Sequence, residues 1–357
     1  MKTYNHHILQ TDYLIVGQGL AGTLLAYFLE KAGQSVLVID QAAPNAASRV
    51  AAGLINPITG RRYVKSWLID QLLPFAKRTY QQLEADLDIS FYFERNILRT
   101  LFNSREENDW LLRIGSPGYE PYMLDEVDLG SYAEHIKPAF SYGEVTHTAQ
   151  VQLSSLVEAY QKDLIKKQAY IREDFQYDLL VHKPDGVHYR EHQAKGVIFC
   201  EGNFATTNPF FNYLPFQGAK GEVLIIKIPN IRFEKIIKRR IFLTPLSDGT
   251  YWVGSAYNWD LKEEGPTEEG KQYLVDRLND FLTVPFEVIR HQAAIRPAVK
   301  DRRPFLGAHP KFSNCFIFNG LGTKGASLGP FWAKTMSDFL SNHTPLPAEV
   351  DIRRFYQ

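Results

Sequence analysis

Residues 12–40 read DYLIVGQGLAGTLLAYFLEKAGQSVLVID, and the fold follows from this stretch. Asp12 to Val16 is a short apolar run of strand type, and Gly17, Gly19 and Gly22 follow it in G-x-G-x-x-G spacing. From Leu20 to Lys31 apolar side chains recur at helical intervals; Gly33 ends that helix, and Ser35 to Ile39 form a second apolar strand closed by Asp40. In such a unit the first glycine permits the tight turn and the second leaves room for a pyrophosphate against the backbone. The third lets helix and strand touch. The helix start, at Leu20 and Ala21, offers unpaired N–H groups and the positive end of its dipole to phosphate. Asp40, 18 residues beyond Gly22, is placed to accept hydrogen bonds from a ribose hydroxyl, with Gln41 beside it. Strand, glycines, helix, strand and acid in this order predict a dinucleotide-binding half-domain. The alternative is a βαβ unit that binds nothing.

Composition bounds the rest. The 357 residues, 45% hydrophobic and 13% aromatic, suffice for two domains or one large two-lobed one. Forty basic and forty acidic residues cancel, so no global field draws the chain to nucleic acid or an anionic membrane. The one basic cluster, Lys235-Ile236-Ile237-Lys238-Arg239-Arg240, reads as a solvated face. Cys200 and Cys315 sit in separate apolar runs and read as buried strand residues, not as a disulfide or a metal site. Neither H-E-x-x-H nor C-x-x-C occurs, so no metal is expected. His6-His7 reads as a frayed terminus. No signal-type stretch opens the chain and no run approaches about 18 apolar residues, so a soluble, cytoplasmic protein is expected.

Beyond Asp40 a small-residue loop, Ala42 to Ser48, leads into Arg49-Val50-Ala51-Ala52-Gly53-Leu54, where tiny side chains let something flat lie on the backbone. The bland reading is a tightly packed turn. Helical segments are expected at 66–73 and 74–87, with Pro74 at a first helical position or a kink, and a strand at 89–101. Residues 103–140 show no clear order. Ser155 and Glu158 make a capping box for a helix, and strands are expected at 177–182, 187–189 and 196–202. From Gly221 the texture changes to alternating strands at 222–228, 240–243 and 250–254, interrupted by a helix at 267–282. The end returns to α/β character: a strand at 314–318, the glycine loop Asn319-Gly320-Leu321-Gly322-Thr323-Lys324-Gly325, and a helix at 326–340.

These motifs, in this order, resemble the D-amino-acid oxidase superfamily of FAD-dependent oxidoreductases, which includes glycine oxidase, sarcosine oxidase and the FAD domain of a bifunctional tRNA-modifying enzyme. Val50 to Leu54 is similar to the family's segment along the flavin, and Cys200-Glu201-Gly202 stands where the family has a small residue and glycine. PFQGAKGEV at 215–223, the stretch 244–254 with its P-x-x-x-G-x-x-x-x-G series, Arg296-Pro297, Asp301, Pro304 and Gly307, and the 319–330 stretch complete the likeness.

The resemblance implies an α/β fold, α+β overall and glutathione-reductase-like. A Rossmann-like FAD-binding domain with a mostly parallel sheet would comprise 1–88, 143–215 and 296–357, and an antiparallel-sheet substrate domain 89–142 and 216–295. It implies cofactor contacts from Gly17, Gly19, Leu20, Ala21, Gly22, Asp40, Gln41, Ser48, Arg49, Ala51, Ala52, Gly53, Leu54, Phe175, Cys200, Gly202, Arg296, Gly320, Gly322, Thr323, Lys324 and Gly325. Members that link FAD covalently use a His before the early glycine or a Cys near the late arginine. Val50 and Ala293 to Ile295 fill those places here, so FAD is expected to be non-covalent. The family's chemistry removes a hydride from the carbon next to an amine and needs no side-chain nucleophile. Arg296 is then the candidate for a substrate carboxylate, as in glycine oxidase, or else an interface ion-pair arginine facing Asp301. Lys324 would add positive charge at the flavin, or else be a solvated loop lysine; Tyr257 would face the substrate, among strand residues that pack.

The expected function is oxidation of a small carboxylated amine or amino acid, with oxygen or another acceptor. The alternatives are action on a modified tRNA uridine and flavin binding without turnover, which Glu201 in the small-residue position would suit. An NAD-linked dehydrogenase fits less well, because the chain returns to the cofactor at VAAGL and at the late glycines.

Overall fold

Five parallel strands form the centre of the first unit, in the order 170–172, 36–40, 9–16, 192–199 and 315–319. The computed structural model describes residues 9–258 and 265–356, with Tyr257 and Asn258 by backbone alone. His6 and His7 therefore lie outside the described residues. Leu14, Ile15, Val38, Ile39, Val197, Ile198, Phe199 and Ile317 are fully buried, as expected of strands covered on both faces. The strand Phe305–Ala308 adds antiparallel to 315–319, and the hairpin 180–183/186–189 extends the other half of 192–199.

Two helices, Leu20–Lys31 and Gly325–Asn342, pack against each other because glycine leaves no side chain at the crossing. A Cβ on Gly329 would stand 2.7 Å from Leu24 Cδ1. Tyr13 Oη donates to Leu340 O at 2.9 Å and ties the late helix to the first strand. This unit comprises 1–49, 154–218 and 296–357.

The second unit comprises 50–153 and 219–295. Its eight-stranded sheet runs in the order 287–296, 219–227, 251–258, 241–245, 236–239, 97–101, 141–145, 123–124. Pairing is antiparallel from 219–227 to 236–239, parallel at the joint between 236–239 and 97–101, and antiparallel again beyond. One face carries Leu224, Ile226, Ile237, Leu243 and Val253 against Leu274 and Leu278 of the helix Glu268–Asn279, whose cap is Thr267. The other carries Ile97, Leu101 and Ile236 with Tyr63 and Trp110. A separate three-stranded sheet joins 54–55, 149–151 and 92–94.

Several expectations shift. Residues 50–88 and 143–153, assigned by sequence to the cofactor domain, pack within the second unit, held by the three-stranded sheet and by Trp252 Nε1 donating to Val50 O at 2.7 Å. The strand expected at 89–101 is two strands in two sheets, 92–94 and 97–101. The two helices expected at 66–87 are one, Ile69–Leu87, with Pro74 inside it. Ser155 is not a cap: its helix already starts at Leu153. A helix, Ser104–Ile114, occupies part of the stretch that showed no order; Asn103 Oδ1 accepts from Glu106 N at its start, and Trp110 is its one buried residue. The basic cluster is a strand, 236–239, followed by Arg240 at φ 62°.

Candidate functional site

The site of the first unit is built at the carboxyl ends of its parallel strands, where ligands of open α/β sheets bind. Gly17, at φ 96°, turns the chain out of the first strand, and its N–H donates to Ile39 O at 2.8 Å. A Cβ there would lie 2.6 Å from Cys200 O, so the early glycine and the Cys200 segment are in direct contact. A Cβ on Gly22 would lie 1.9 Å from Gly17 O, which is the close helix–turn approach expected of the third glycine. Gly19 is different: its backbone is extended, φ −75°, and a Cβ would meet only the Ser48 side chain, at 3.2 Å.

Ser48 Oγ accepts from Leu20 N at 2.9 Å, and its hydroxyl proton remains available to donate to a phosphate. The side chains of Leu20 and Ala21 are buried, so these residues can serve a ligand only through the backbone. Asp40 accepts from Gln18 N at 2.9 Å through Oδ1 and from Ala42 N at 2.8 Å through Oδ2. Tyr170 Oη also donates to Oδ2, at 3.5 Å, so it is Oδ1 that keeps a lone pair for a ribose hydroxyl. Gln41 beside it is exposed, and Arg49 Nη1 pairs with Glu158 at 3.4 Å.

From the other side of the first strand come Cys200 to Gly202 and the late glycine loop. Asn319 Nδ2 donates to Gly202 O at 2.9 Å, and Gly320 N donates to Asn319 Oδ1 at 2.7 Å. Gly322 N donates to Pro297 O at 3.1 Å, which fastens the loop one residue from Arg296. Thr323 is exposed, and the helix Gly325–Asn342 opens directly after Lys324. Burial, with Arg302 and Arg303 nearby, holds the Lys324 ammonium below the usual lysine range. Asp301 is engaged by Arg354 Nε at 2.9 Å.

Burial pushes the Cys200 thiol up, so it is an inert core residue rather than a nucleophile. Glu201, the odd residue of this segment, is drawn away from the loop by Tyr177 Oη, which donates to Oε1, and by Asn208 Nδ2, which donates to Oε2 at 2.7 Å. Burial raises its carboxyl to about 7 against those two bonds. Phe175 is core: its ring stacks on Tyr189 at 4.4 Å between centroids and is buried against Phe199.

In the second unit, Ala51 is exposed, Ala52 is buried and Leu54 is partly so. Gly53 stands at φ 68° with a Cβ that would fall 1.9 Å from Val151 O. Tyr257 lies opposite Gly221 in the sheet, and its side chain is outside the described part. Tyr251 packs, accepting from Phe233 N at 3.0 Å. Among the described residues no group of three or more His, Cys, Asp or Glu could hold a metal, and no helix is long and apolar enough to cross a membrane.

The glycine turn, the bare backbone above Gly19, the Ser48 hydroxyl and Asp40 fit the adenosine diphosphate half of a dinucleotide. Sequence reasoning missed Gln18, whose amide bridges Thr23 Oγ1 and Val157 O, and Asn319, which binds the two glycine segments together. Asn319 carried a signal, an amide at a strand end before glycine; Gln18 carried none.

Comparison with known proteins bears on the same residues. The family described as FAD dependent oxidoreductase (DAO) matches residues 12–339. The tRNA 5-methylaminomethyl-2-thiouridine biosynthesis bifunctional protein MnmC of Marinobacter nauticus is 23% identical over 96% of this chain, which spans only 58% of that protein. Glycine oxidase of Bacillus subtilis is 21% identical over 93% of each chain. The crystal structure of glycine oxidase from Bacillus cereus superposes with a TM-score of 0.76 at 19% identity, covering 94% of this chain and 96% of that one.

Proposed function

The chain belongs to the DAO family of FAD-dependent oxidoreductases, and from that membership we propose that it oxidises a small carboxylated amine or amino acid with non-covalently held FAD. The observation that carries the substrate reading is the anchoring of Arg296. Ala298 N donates to Arg296 O at 2.8 Å, and the neighbouring Pro297 carbonyl accepts from Gly322, so the guanidinium is borne on backbone fixed to the late glycine loop. The match to glycine oxidase along almost the whole chain supports the same reading.

Gly17 to Gly22, Asp40, Ser48, Gly202 and the 320–325 loop would hold the cofactor. When bound, FAD would accept a hydride from the carbon next to the amine while the nitrogen gives up a proton; water would then hydrolyse the imine to a carbonyl compound and release an amine or ammonia. Arg296 would grip the carboxylate through its planar fork and so hold that carbon in one orientation. Lys324 and the N–H groups opening the helix Gly325–Asn342 would present positive charge at the reacting end of the cofactor. Val50, Ala293, Ala294 and Ile295 provide no nucleophile for a covalent flavin link.

Arg296→Lys keeps the charge and loses the fork. Both Arg296→Lys and Arg296→Ala should retain FAD and lose roughly ten- to a hundred-fold in apparent substrate affinity. Oxidation of the substrate with unaltered affinity would leave Arg296 structural and remove the carboxylate reading.

A second reading, action on a modified uridine of tRNA, is favoured by the match to a tRNA-modifying protein over 96% of the chain. The balance of forty basic against forty acidic residues opposes it, since phosphate contacts dominate nucleic-acid affinity. Retention of tRNA at moderate salt would restore it.

A further inference from the structure

One cation of the 235–240 run faces inward. The strand 236–239 pairs with 97–101 on one side and 241–245 on the other, in a register that sets Lys238 beside Arg99 and Phe242. Side chains alternate along a strand, so Lys238 shares its face with Ile236 and the Tyr63–Trp110 cluster, while Ile237 joins the core on the opposite face. Lys238 Nζ stands 4.2 Å from the Phe242 ring centroid and donates to Arg240 O at 2.5 Å. The Arg99 guanidinium carbon stands 4.6 Å from the Tyr63 ring centroid, and Nη2 donates to Gly60 O at 3.2 Å. Both cations are partly buried.

Other partly or fully buried lysines of this unit meet an acid: Lys65 with Asp70, Lys220 with Glu222, Lys235 with Glu144. Among the described residues no carboxylate pairs with Arg99 or Lys238. Glu106, on the helix Ser104–Ile114, is the acid whose field reaches Arg99, and its Oε2 accepts from Phe102 N at 3.1 Å. Ring faces and carbonyls satisfy some of the donors but supply no neutralising charge. Burial and the Arg99 charge together push the Lys238 ammonium down to about 7. Two adjacent desolvated cations are a poor way to fill space; apolar side chains would do it at lower cost.

We propose that Arg99 and Lys238 form an oxyanion-binding site on the second unit, taking a carboxylate or a tetrahedral oxyanion between the guanidinium fork and the ammonium. Nothing in it depends on the amine reading of function. The fork matches two oxygens of one group, and the lysine adds a point charge.

The test is calorimetric titration of the FAD-loaded full chain with sodium sulfate and with sodium succinate at fixed ionic strength. Both anions keep their charge between about pH 6.5 and 8.5. One saturable site per chain is expected, weakened at least ten-fold in Lys238→Met and in Arg99→Met, and less in Arg99→Lys. Binding favours the protonated lysine, so affinity should fall as pH rises through about 7 in the wild type and not in Lys238→Met. Tighter succinate identifies the acid group of an organic ligand; tighter sulfate identifies a free tetrahedral ion. Without anion, Lys238→Met should melt no lower than the wild type, because it removes a desolvated charge. No saturable binding, equal binding by wild type and variants, or a lower melting temperature for Lys238→Met would overturn the proposal.

Discussion

Replacing Gly19 by alanine separates space for the protein from space for a ligand. The residue precedes the helix Leu20–Lys31 with φ −75° and ψ −165°, backbone that alanine adopts without strain. An added Cβ would meet only Ser48, 3.2 Å from Oγ and 4.0 Å from Cβ, and a hydroxyl can give by a few tenths of an ångström. The folding cost should stay within about 0.5 kcal/mol, roughly 1–2 °C in melting temperature. A pyrophosphate held by the helix start must occupy the place of that methyl group. Displacing it weakens at least one charge-assisted hydrogen bond, each contributing about 1.5–3 kcal/mol, so FAD affinity should drop roughly ten- to a hundred-fold. Gly22→Ala is the contrast. Its Cβ would stand 1.9 Å from Gly17 O, about 1.5 Å short of ordinary contact with a backbone atom, so folding itself should suffer, by about 1–3 kcal/mol or more. Fluorescence titration of FAD into apoprotein, with a melting curve of the same sample, reads both quantities. Wild-type FAD affinity in Gly19→Ala would show that no pyrophosphate crosses this backbone.

Asp40→Ala should weaken FAD retention several-fold or more and also loosen the turn, because Gln18 and Ala42 lose their acceptor; unchanged retention on a desalting column would remove Asp40 from the ribose site. Acid or heat should release yellow flavin into the supernatant, and colour that stays with the precipitated chain would contradict non-covalent binding. The Glu201 carboxyl, raised to about 7 from 4.5, favours its protonated form in the folded state. Its contribution is therefore full below about pH 4.5 and lost as pH rises to about 7, on the order of 2–3 kcal/mol. Glu201→Gln should gain melting temperature over the wild type at pH 8 and not at pH 4.5; parallel curves at both would refute the shift.

Much of the first unit was legible because its signals are local. The turn at Gly17–Gly22, the helix to Lys31 and the acid at Asp40 lie within 29 residues, each with its own backbone or packing requirement. The second unit was harder to read. The helix Ser104–Ile114 hides because it buries only Trp110, leaving no apolar stripe. The run 89–101 looks like one strand because pattern does not show that Arg95 and Asn96 carry the chain from one sheet to another. Lys238 reads as solvated because a KIIKRR run looks the same whether its first face is water or a packed sheet. Likewise the partners that hold Glu201, Tyr177 and Asn208, are 24 and 7 residues away, and nothing in Cys200-Glu201-Gly202 points to them.

Anaerobic mixing of the FAD-loaded protein with a panel of amino acids and N-alkyl glycines, read in the visible spectrum, tests the central claim most directly. The account predicts bleaching of the flavin by at least one carboxylated amine, little or none by the same amine without its carboxylate, and loss of that preference in Arg296→Ala. A flavin that stays oxidised against the whole panel, or bleaches equally with and without the carboxylate, would contradict it.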